Sequence, residues 1–510
     1  MQRWLVLIAL VALAFAAPAG AYSVPVLTLD QVIKQADVII KAKAVSSRPV
    51  EDAWFTEYRG CLVFATEMKV VSVLKGDLKE ADVAFHHYGF DPKHRGGPNG
   101  LMPQLYKFEP GRSYILFAKR TDSPGILRQP WKHHKLREDQ GVVLAADDKP
   151  VPKGRSVKDV LWAELTGLLA SAPSADVRYG IRQLNQMSGG GLWGTKDFDR
   201  ENVAAAIIKL IEHKDAPVAD DAIRAMGAKS PYISDGEAAF WLGTIGKGSI
   251  GGLAKRDAKV VNRAAGKFWK EIVALIDSDA AGKSRALAIR ALGRSGVKEI
   301  DKPLGRWTKD EDADVRQAAA ILLADFPVER AADPLTRLSN DKDPGVRLGV
   351  ARAVGFGQFD RLLPLLDRMI GDKDAEVGTA AALSLLSFDP KQSKDVLLAH
   401  RKDPDFKSVF INALAAGDTG PYLDDLVEII EKRSEPHDFW GGLVPWCVSW
   451  EILFEYVARH TGEELQSGKL DKYLDALESP PRPPSNMRRR LAELYAKNAL
   501  SARARKLGGK

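Results

Sequence analysis

Hydrophobic and polar positions repeat at a fixed interval in the middle of the chain. The segment Asp310–Arg316 (DEDADVR) returns as Asp341–Arg347 (DKDPGVR) and as Asp372–Gly378 (DKDAEVG), where the arginine is lost. Apolar residues spaced i, i+3 stand before each copy, and apolar residues spaced i, i+4, i+5 and i+8 stand after it. Such stripes predict two amphipathic helices joined by the acidic turn. A fixed period of this kind indicates stacked helical pairs that bury their apolar faces against one another.

The charged residues of the repeat are open to more than one interpretation. Asp312, Asp343 and Asp374 stand where the N-cap of the second helix is expected, because a carboxylate can accept from its free amides. Arginines recur just inside the second helices, and we favour a ladder in which they pair with aspartates of the neighbouring unit. The alternative is a basic stripe that binds an acidic partner. The candidate partner-binding residues are Arg285, Arg316 and Arg347.

The motif Asp-Xaa-Asp-Xaa-Xaa-Val-Arg, repeated in register, resembles the short HEAT-like repeats of phycobilisome-lyase-type proteins. The resemblance implies an all-α, ARM-type α-solenoid whose second helices line a concave face. It is good over 297–388 and weaker outside that range. Pro303 and Pro334 are expected in the first turns of first helices. Looser copies extend the expected solenoid over 156–478, and they begin at Ser174, Lys214, Ser278 and Lys402.

Residues 22–150 have a different pattern, with short runs rich in β-branched and aromatic residues between turn signals. They predict a small antiparallel β domain, a barrel or a sandwich, ahead of the solenoid in a multidomain chain. The segments Val71–Asp77 and Phe108–Phe117 resemble exported bacterial β domains of OB or netrin-like shape. The expected strands cover 38–45, 62–74, 82–85 and 113–118.

Residues 1–21 have the pattern of a secretory signal peptide. Arg3 supplies the positive start, Leu5–Phe15 the apolar run, and a small-residue cleavage site ends at Ala21. The apolar run is short for a membrane span, and no later stretch reaches about 18 uninterrupted apolar residues. We therefore expect an exported protein, periplasmic or extracellular, that is soluble after removal of the signal peptide.

The net charge of +7 belongs to the C-terminal end of the chain. Residues 486–510 hold eight basic residues against Glu493, so the rest of the chain is close to neutral. The solenoid lacks the net basic bias of a nucleic-acid-binding protein, and no nucleic-acid partner is expected. A Pro-rich linker, 479–485, precedes this basic helix or tail, which could make peripheral contact with an anionic envelope surface.

Histidines of the β domain are the candidates for metal chemistry. The weak candidate ligands are His86 and His94. Neighbouring strand residues point to opposite faces, so His87 is not expected to join His86 at one site. No His-Glu-Xaa-Xaa-His spacing and no paired nucleophile and base is visible, so we expect no catalytic residues. No cofactor is expected either, because Gly246–Gly251 matches a dinucleotide-binding string without the required strand and helix around it.

Two other features stay open between a structural and a functional interpretation. The aromatic stretch 439–454 could form a partner groove, with Trp440 and Trp446 as candidates. A closing cap over the last repeat is the favoured interpretation. Cys61 and Cys447 are more simply buried apolar residues than a disulfide, although export would permit one.

The leading hypothesis is a non-catalytic, exported protein-binding or scaffolding protein that uses the surface of its solenoid. A protein partner is expected, and the sequence does not identify it. The alternative is an enzyme or metal-dependent module centred on the histidine-containing β domain.

Overall fold

The structure is a computed structural model of the 510-residue chain. It describes residues 27–58, 60–93, 103–130, 141–188, 197–227, 262–385, 387–388, 390–403, 406–431, 445–460, 462–478, 485–500 and 503. Contacts divide the chain into two compact units, Met1–Met226 with Arg263–Glu271 and Gly227–Asn262 with Ile272–Lys510. The predicted signal peptide with Ala21, and positions 479–484 of the predicted linker, fall outside the described residues. The predicted boundary at 150–156 lies inside the first unit.

The described residues of the N-terminal part of the first unit form a β domain of one helix and six strands. They are α1 (Leu29–Gln35), β1 (Val38–Pro49), β2 (Cys61–Lys75), β3 (Asp82–Phe90), β4 (Ser113–Arg120), β5 (Ile126–Arg128) and β6 (Val142–Leu144). Alternation along β3 buries Val83, Phe85 and His87 and leaves Ala84 and His86 half-buried. This is the period-2 pattern by which the strand is predicted.

The strands close into a barrel. β1 pairs with β2 and with β4, and β3 and β5 complete a ring in the order β1-β2-β3-β5-β4. β6 pairs with β4. The β3–β5 pair is parallel, so the sheet is mixed and not wholly antiparallel as predicted. A closed five-stranded ring is a barrel, which is one of the two shapes predicted for this domain, the other being a sandwich.

Three elements of this domain are not predicted from the sequence. β5 and β6 have three residues each, too few for an alternating pattern to be visible. α1 does have a signal, a capping box in which Thr28 accepts from the Gln31 amide while the Gln31 side chain accepts from the Thr28 amide. The four predicted strands are confirmed, and all extend further than predicted.

Helices follow the barrel through both units. In the first unit they are α2 (Val157–Leu168), α3 (Ser174–Met187), α4 (Arg200–Ile207), α5 (Ala216–Met226) and α6 (Arg263–Lys267). The division between the units falls inside α7 (Trp269–Ile276). In the second unit they are α8 (Gly282–Ala291), α9 (Asp301–Trp307), α10 (Ala313–Leu322), α11 (Val328–Leu338), α12 (Pro344–Gly357), α13 (Leu363–Ile370), α14 (Ala375–Leu385), α15 (Pro390–His400), α16 (Lys407–Gly417), α17 (Leu423–Glu431), α18 (Pro445–Val457), α19 (Gly462–Gln466), α20 (Asp471–Glu478) and α21 (Ser485–Lys497).

The period of the sequence is also the period of the helices. The second helices α8, α10, α12 and α14 begin at Gly282, Ala313, Pro344 and Ala375. They pack on one another in that order, and the aligned apolar columns of the repeat are buried. The regular array therefore includes a fourth copy, whose second helix is α8 and whose turn lacks the full acidic motif.

The turns confirm one prediction and correct another. Asp312, Asp343 and Asp374 each accept hydrogen bonds from backbone amides two or three residues further on, as N-caps do. Pro303 is the third residue of α9, within its first turn. The prediction for Pro334 is wrong, because α11 begins earlier than the apolar pair alone indicates and this proline lies inside the helix.

The C-terminal helices of the second unit share a hydrophobic core of their own. Trp450 and Phe454 of α18 stack in it, as a closing cap would. Leu491 and Tyr495 of α21 are fully buried in the same core. The predicted basic tail therefore contains a packed helix. Trp440 and the side chain of Trp446 lie outside the described part of the chain.

Candidate functional site

Three arginines of the second helices tie each repeat to the next. Each donates two hydrogen bonds to the aspartate 25 residues ahead, in the turn of the following copy, over 2.7 to 3.1 Å. Both carboxylate oxygens accept, which is the strong bidentate form of this ion pair. The favoured interpretation of the sequence, a ladder of Asp–Arg pairs, is confirmed by these contacts. The pairs are Arg285–Asp310, Arg316–Asp341 and Arg347–Asp372.

Arg347 shows how one rung of the ladder is built. Its Nε and Nη2 donate to Asp372, while Nη1 donates to the carbonyl oxygens of Asp341 and Lys342 at 2.9 and 3.3 Å. Asp372 Oδ1 also accepts from the Asp374 amide at 2.9 Å. The guanidinium of Arg347 holds the pKa of Asp372 below its ordinary value, because a positively charged hydrogen-bond donor stabilises the ionised carboxylate. One arginine thus joins two turns and orders the second.

The ladder leaves little of these arginines at the surface. The side chains of Arg316 and Arg347 are 9% and 5% exposed, and that of Arg285 is 14% exposed. Their role in binding a partner stays a prediction. A partner that used them would have to compete with the aspartates that they already bind.

A second ladder, on the first helices, was missed by sequence reasoning. Arginines that recur at the interval of the repeat in α9, α11 and α13 each donate to a side chain 29 residues earlier, over 2.7 to 3.2 Å. The acceptor is a carboxylate in the first pair and a hydroxyl in the other two, so only the arginines recur visibly in the sequence. The pairs are Arg306–Asp277, Arg337–Thr308 and Arg368–Ser339.

The arginine column of the first ladder ends at Gly378 for a steric reason. A Cβ at this position would lie 2.7 Å from the carbonyl oxygen of Ile370. α14 approaches the end of α13 too closely for a side chain at this point. The missing arginine of the third copy therefore follows from backbone packing.

On the barrel, His86 belongs to a hydrogen-bonded network around Asp52. Asp52 accepts from His86 Nδ1 at 2.8 Å and from Arg128 at 2.8 and 2.9 Å. Arg128 also lies over the ring of Trp54, 5.6 Å from its centroid. Burial opposes ionisation of Asp52, but the hydrogen bonds from Arg128 and His86 outweigh it and lower its pKa. His86 is therefore held, through one ring nitrogen, against the ion pair of Asp52 and Arg128.

His87 faces the opposite way, into the barrel. Its Nδ1 donates to the Tyr88 carbonyl at 3.0 Å, and its Nε2 accepts from the Thr66 hydroxyl at 2.8 Å. Complete burial among aromatic rings lowers the pKa of His87 to about 4, so that the ring is neutral. The predicted placement of His86 and His87 on opposite faces is confirmed.

The described residues contain no group of three or more His, Cys, Asp and Glu side chains that could hold a metal ion. His94 lies outside them, so the candidate pair of His86 and His94 stays a prediction. Cys61 is a half-buried free thiol, and burial raises its pKa.

A buried ammonium group joins the barrel to α2 within the first unit. Lys41 of β1 is 1% exposed and donates to Glu164 at 2.6 Å and to Asp147 at 2.8 Å. Glu164 also accepts from the Ala146 amide at 2.7 Å. No sequence pattern marks this lysine, which stands in an otherwise apolar run. Its role is visible only when the helix is placed over the strand.

Two basic residues near the C-terminus are paired within the second unit. Arg490 donates to Glu451 and Glu455 over 2.6 to 2.8 Å. Arg503 donates to three carboxylates, those of Asp471, Asp475 and Glu478. Contact of 486–510 with an anionic surface stays a prediction, and it would depend on the other basic residues. None of the helices that the structure describes has the length and apolar character needed to span a membrane.

Comparison with known proteins bears on the repeats. The sequence model of a family described as HEAT repeats matches residues 270–355 and 335–416. A search of curated proteins finds no match. A crystal structure of an engineered protein from a structural genomics consortium is 18% identical and aligns over 66% of this chain and 97% of its own. Its TM-score of 0.29 is too low to carry an argument about the fold.

The residues matched by the family contain the copies from α8 to α15, with both arginine ladders. The barrel that precedes them lies outside the match. Residues 270–416 are HEAT repeats, and the chain is a HEAT-like repeat protein with an N-terminal β domain.

Proposed function

We propose that this chain is an exported, non-catalytic binding or scaffolding protein that holds a protein partner on its HEAT repeats. The barrel is a second contact surface, joined to the first helices by buried ion pairs such as that of Lys41. Arrays of stacked repeats present a continuous surface, which suits an extended partner.

The observation that carries the proposal is the contrast between repeated and variable positions. The repeated arginines and aspartates are used within the array, in the two ladders. A partly exposed column on α8, α10, α12 and α14 instead alternates between charged and apolar residues from each copy to the next, and its first member, Arg290, also donates to Gln317 at 3.1 Å. Positions that are exposed and differ between copies are where recognition of a partner is expected. The column consists of Arg290, Ile321, Arg352 and Leu383.

Affinity capture with the full mature chain, 22–510, tests the proposal. Three baits are compared: the unchanged chain, the column variant Ile321→Glu plus Leu383→Glu, and a matched control. The control is Lys302→Glu, on the exposed face of α9. A partner captured from secreted and envelope fractions should be displaced by soluble chain and lost with the column variant. The control should retain it. Absence of saturable capture, or equal loss with the control, would count against a repeat-based binding function.

Export and the metal-dependent alternative have separate tests. N-terminal sequencing of protein from an export-competent host should begin at Tyr22, and recovery of the chain from the cytoplasm with positions 1–21 intact would contradict export. Metal analysis of the purified chain tests the alternative. A stoichiometric metal that is lost in His86→Ala would favour the alternative over the proposed function.

A further inference from the structure

The turn between α15 and α16 borders a cavity in the second unit. Its volume is about 420 Å³, within the range of sites that hold a small ligand or a few side chains. Positive side chains outnumber negative ones in its lining by three to one. The lining residues are Arg401, Lys402, Lys407, Pro421, Tyr422 and Asp425.

Two of these cations are available for a ligand. Arg401 and Lys402 are exposed, and among the described residues neither side chain is paired with a carboxylate. Lys407 is half-buried and binds Glu428 at 2.6 Å, with Asp425 further away at 3.9 Å. Within the described part of the chain, Asp425 and Glu428 therefore pair with Lys407, and no carboxylate pairs with Arg401 or Lys402.

The same positions in the other copies show that this charge is particular to one turn. In the three preceding copies, the position of Arg401 holds Ile370, Ser339 and Thr308. The position of Lys402 holds Gly371, Asn340 and Lys309. The position of Lys407 holds Glu376, Gly345 and Asp314. No earlier copy has more than one cation among the three, and two have an acid in the third. The Asp-Xaa-Asp motif is kept at Asp403, so the register of the repeat continues through the turn. The three cations are thus not needed by the repeat fold itself.

We infer that this cavity binds the carboxylates of an acidic segment of a partner protein. The inference rests on the proposed function and names the chemistry of the partner at one point of the repeat surface. An arginine fork with a neighbouring ammonium group suits a carboxylate, and the tyrosine and proline form a wall for its methylene stem. Asp425 also lines the cavity, and its carboxylate would repel a dianionic phosphate more strongly than a single carboxylate.

Fluorescence anisotropy with the full mature chain tests the inference. The probe is a short labelled peptide rich in Asp and Glu, and the comparison peptide has Asn and Gln in their place. The acidic peptide should bind in low salt, and affinity should fall as salt screens the exposed charges. Arg401→Glu plus Lys402→Glu should weaken binding about tenfold or more, since attraction is replaced by repulsion.

Lys309→Glu is the matched control, because Lys309 occupies the position of Lys402 in an earlier copy and is exposed. It should leave affinity within about twofold, and all variants should keep the melting temperature of the parent. Equal binding of both peptides, an unchanged affinity in the double variant, or an equal loss in Lys309→Glu would overturn the inference. The inference would also be overturned if millimolar inorganic phosphate displaced the acidic peptide and bound the chain more tightly than the peptide does. Retained capture of a partner by the double variant would overturn this site alone and leave the proposed function standing.

Discussion

Two regions of the molecule use ion pairs to hold elements together, and they do so in contrasting ways. The HEAT array places Arg316 and Arg347 at a fixed interval and binds each to an aspartate 25 residues ahead. The barrel junction binds Lys41 to Glu164, 123 residues away, and this pair belongs to no periodic set among the described residues. Both kinds of cation are buried, since the side chains of Lys41 and Arg347 are 1% and 5% exposed.

The contrast shows what a regular array adds to an ordinary interaction. In the repeats, each carboxylate also orders its own turn, so the loss of one rung affects only the neighbouring copies. In the barrel, the strand, the loop after β6 and α2 all meet at one ammonium group, so its loss affects the whole junction. We expect the barrel to be the more sensitive of the two regions.

The largest effect is expected from Lys41→Met. Removal of the ammonium leaves Glu164 buried without its counter-charge, which costs about 3–5 kcal/mol of unfolding free energy. Hydrogen exchange at the amides of β1 measures this loss locally, which is needed in a chain of two units. Lys43→Met is the control, because Lys43 pairs with Asp148 while 40% exposed and should cost under about 1 kcal/mol. Equal losses in the two variants would mean that burial does not distinguish them.

The next effect is a pH dependence that separates the two regions. The pKa of His87 is about 4 in the barrel, against 6.5 when unfolded, so protonation favours the unfolded state. The stability from the neutral ring is complete above pH 6.5 and falls towards pH 4, by about 3 kcal/mol in all. The pKa of Asp372 is lowered in the ladder, so its contribution is complete above the ordinary pKa of 3.8 and is lost only in stronger acid.

Denaturant unfolding followed by exchange from pH 7 to 4 distinguishes these windows. Amides of β1–β4 should lose protection as the pH falls through this range, and amides of α12 should keep theirs. The slope for the barrel should flatten in His87→Leu, whatever the stability of that variant at pH 7. A slope that persists without the histidine would assign the acid sensitivity of the barrel to other groups.

A smaller effect is expected from Arg347→Ala in the ladder. The variant loses two charge-assisted hydrogen bonds to Asp372, which can rehydrate in part, so about 1–3 kcal/mol is expected. A double-mutant cycle with Asp372→Asn, read out by exchange in α12 and α14, isolates the pair. A coupling energy near zero would show that the ion pair of Arg347 and Asp372 contributes little to stability. Arg306→Ala offers a contrast within the array, since Arg306 is 64% exposed and should contribute little.

The smallest effects are expected from two glycine substitutions, and the signs of their stability changes test why the arginine column ends at Gly378. Gly378→Ala should destabilise the array by about 1 kcal/mol, because the added methyl group would press on the Ile370 carbonyl. Gly305→Ala in α9 should stabilise it by about 0.5–1 kcal/mol, because its Cβ would meet no described atom within 4 Å. Thermal unfolding of the two variants checks the signs. Stabilisation by both would show that backbone packing does not exclude an arginine at position 378.

Much of the fold is predictable from the sequence, and the reasons are local. Apolar spacing and the capping aspartates Asp312 and Asp343 set helix boundaries within a few residues, since both act over one or two turns. The Asp–Arg ladder is predictable because the same two residue types recur at one interval. In contrast, β5 has three residues and is defined only by its partners β3 and β4. The mixed barrel could not be derived from a strand that has no pattern of its own.

The candidate sites divide in the same way. His86 and His87 are separable by strand alternation alone, but the pairing of His86 with Asp52 and Arg128 depends on a loop and a strand brought together by the barrel. Arg316 and Arg347 stand out in the sequence as candidate binding residues, and the structure places them in the ladder. Arg401 and Lys402 do not stand out in this way, because their significance comes from a cavity that residues of α16 and α17 also line.

By itself, the sequence determined that helical pairs repeat at a fixed interval behind a β domain, because periodicity and turn chemistry operate between near neighbours in the chain. Only the tertiary structure decided that the strands close into a mixed barrel, that Lys41 is buried and that Gly378 has no room for a side chain. These properties depend on contacts between residues far apart in the chain. Burial and close approach are set by what packs over a residue, which its neighbours in sequence do not specify.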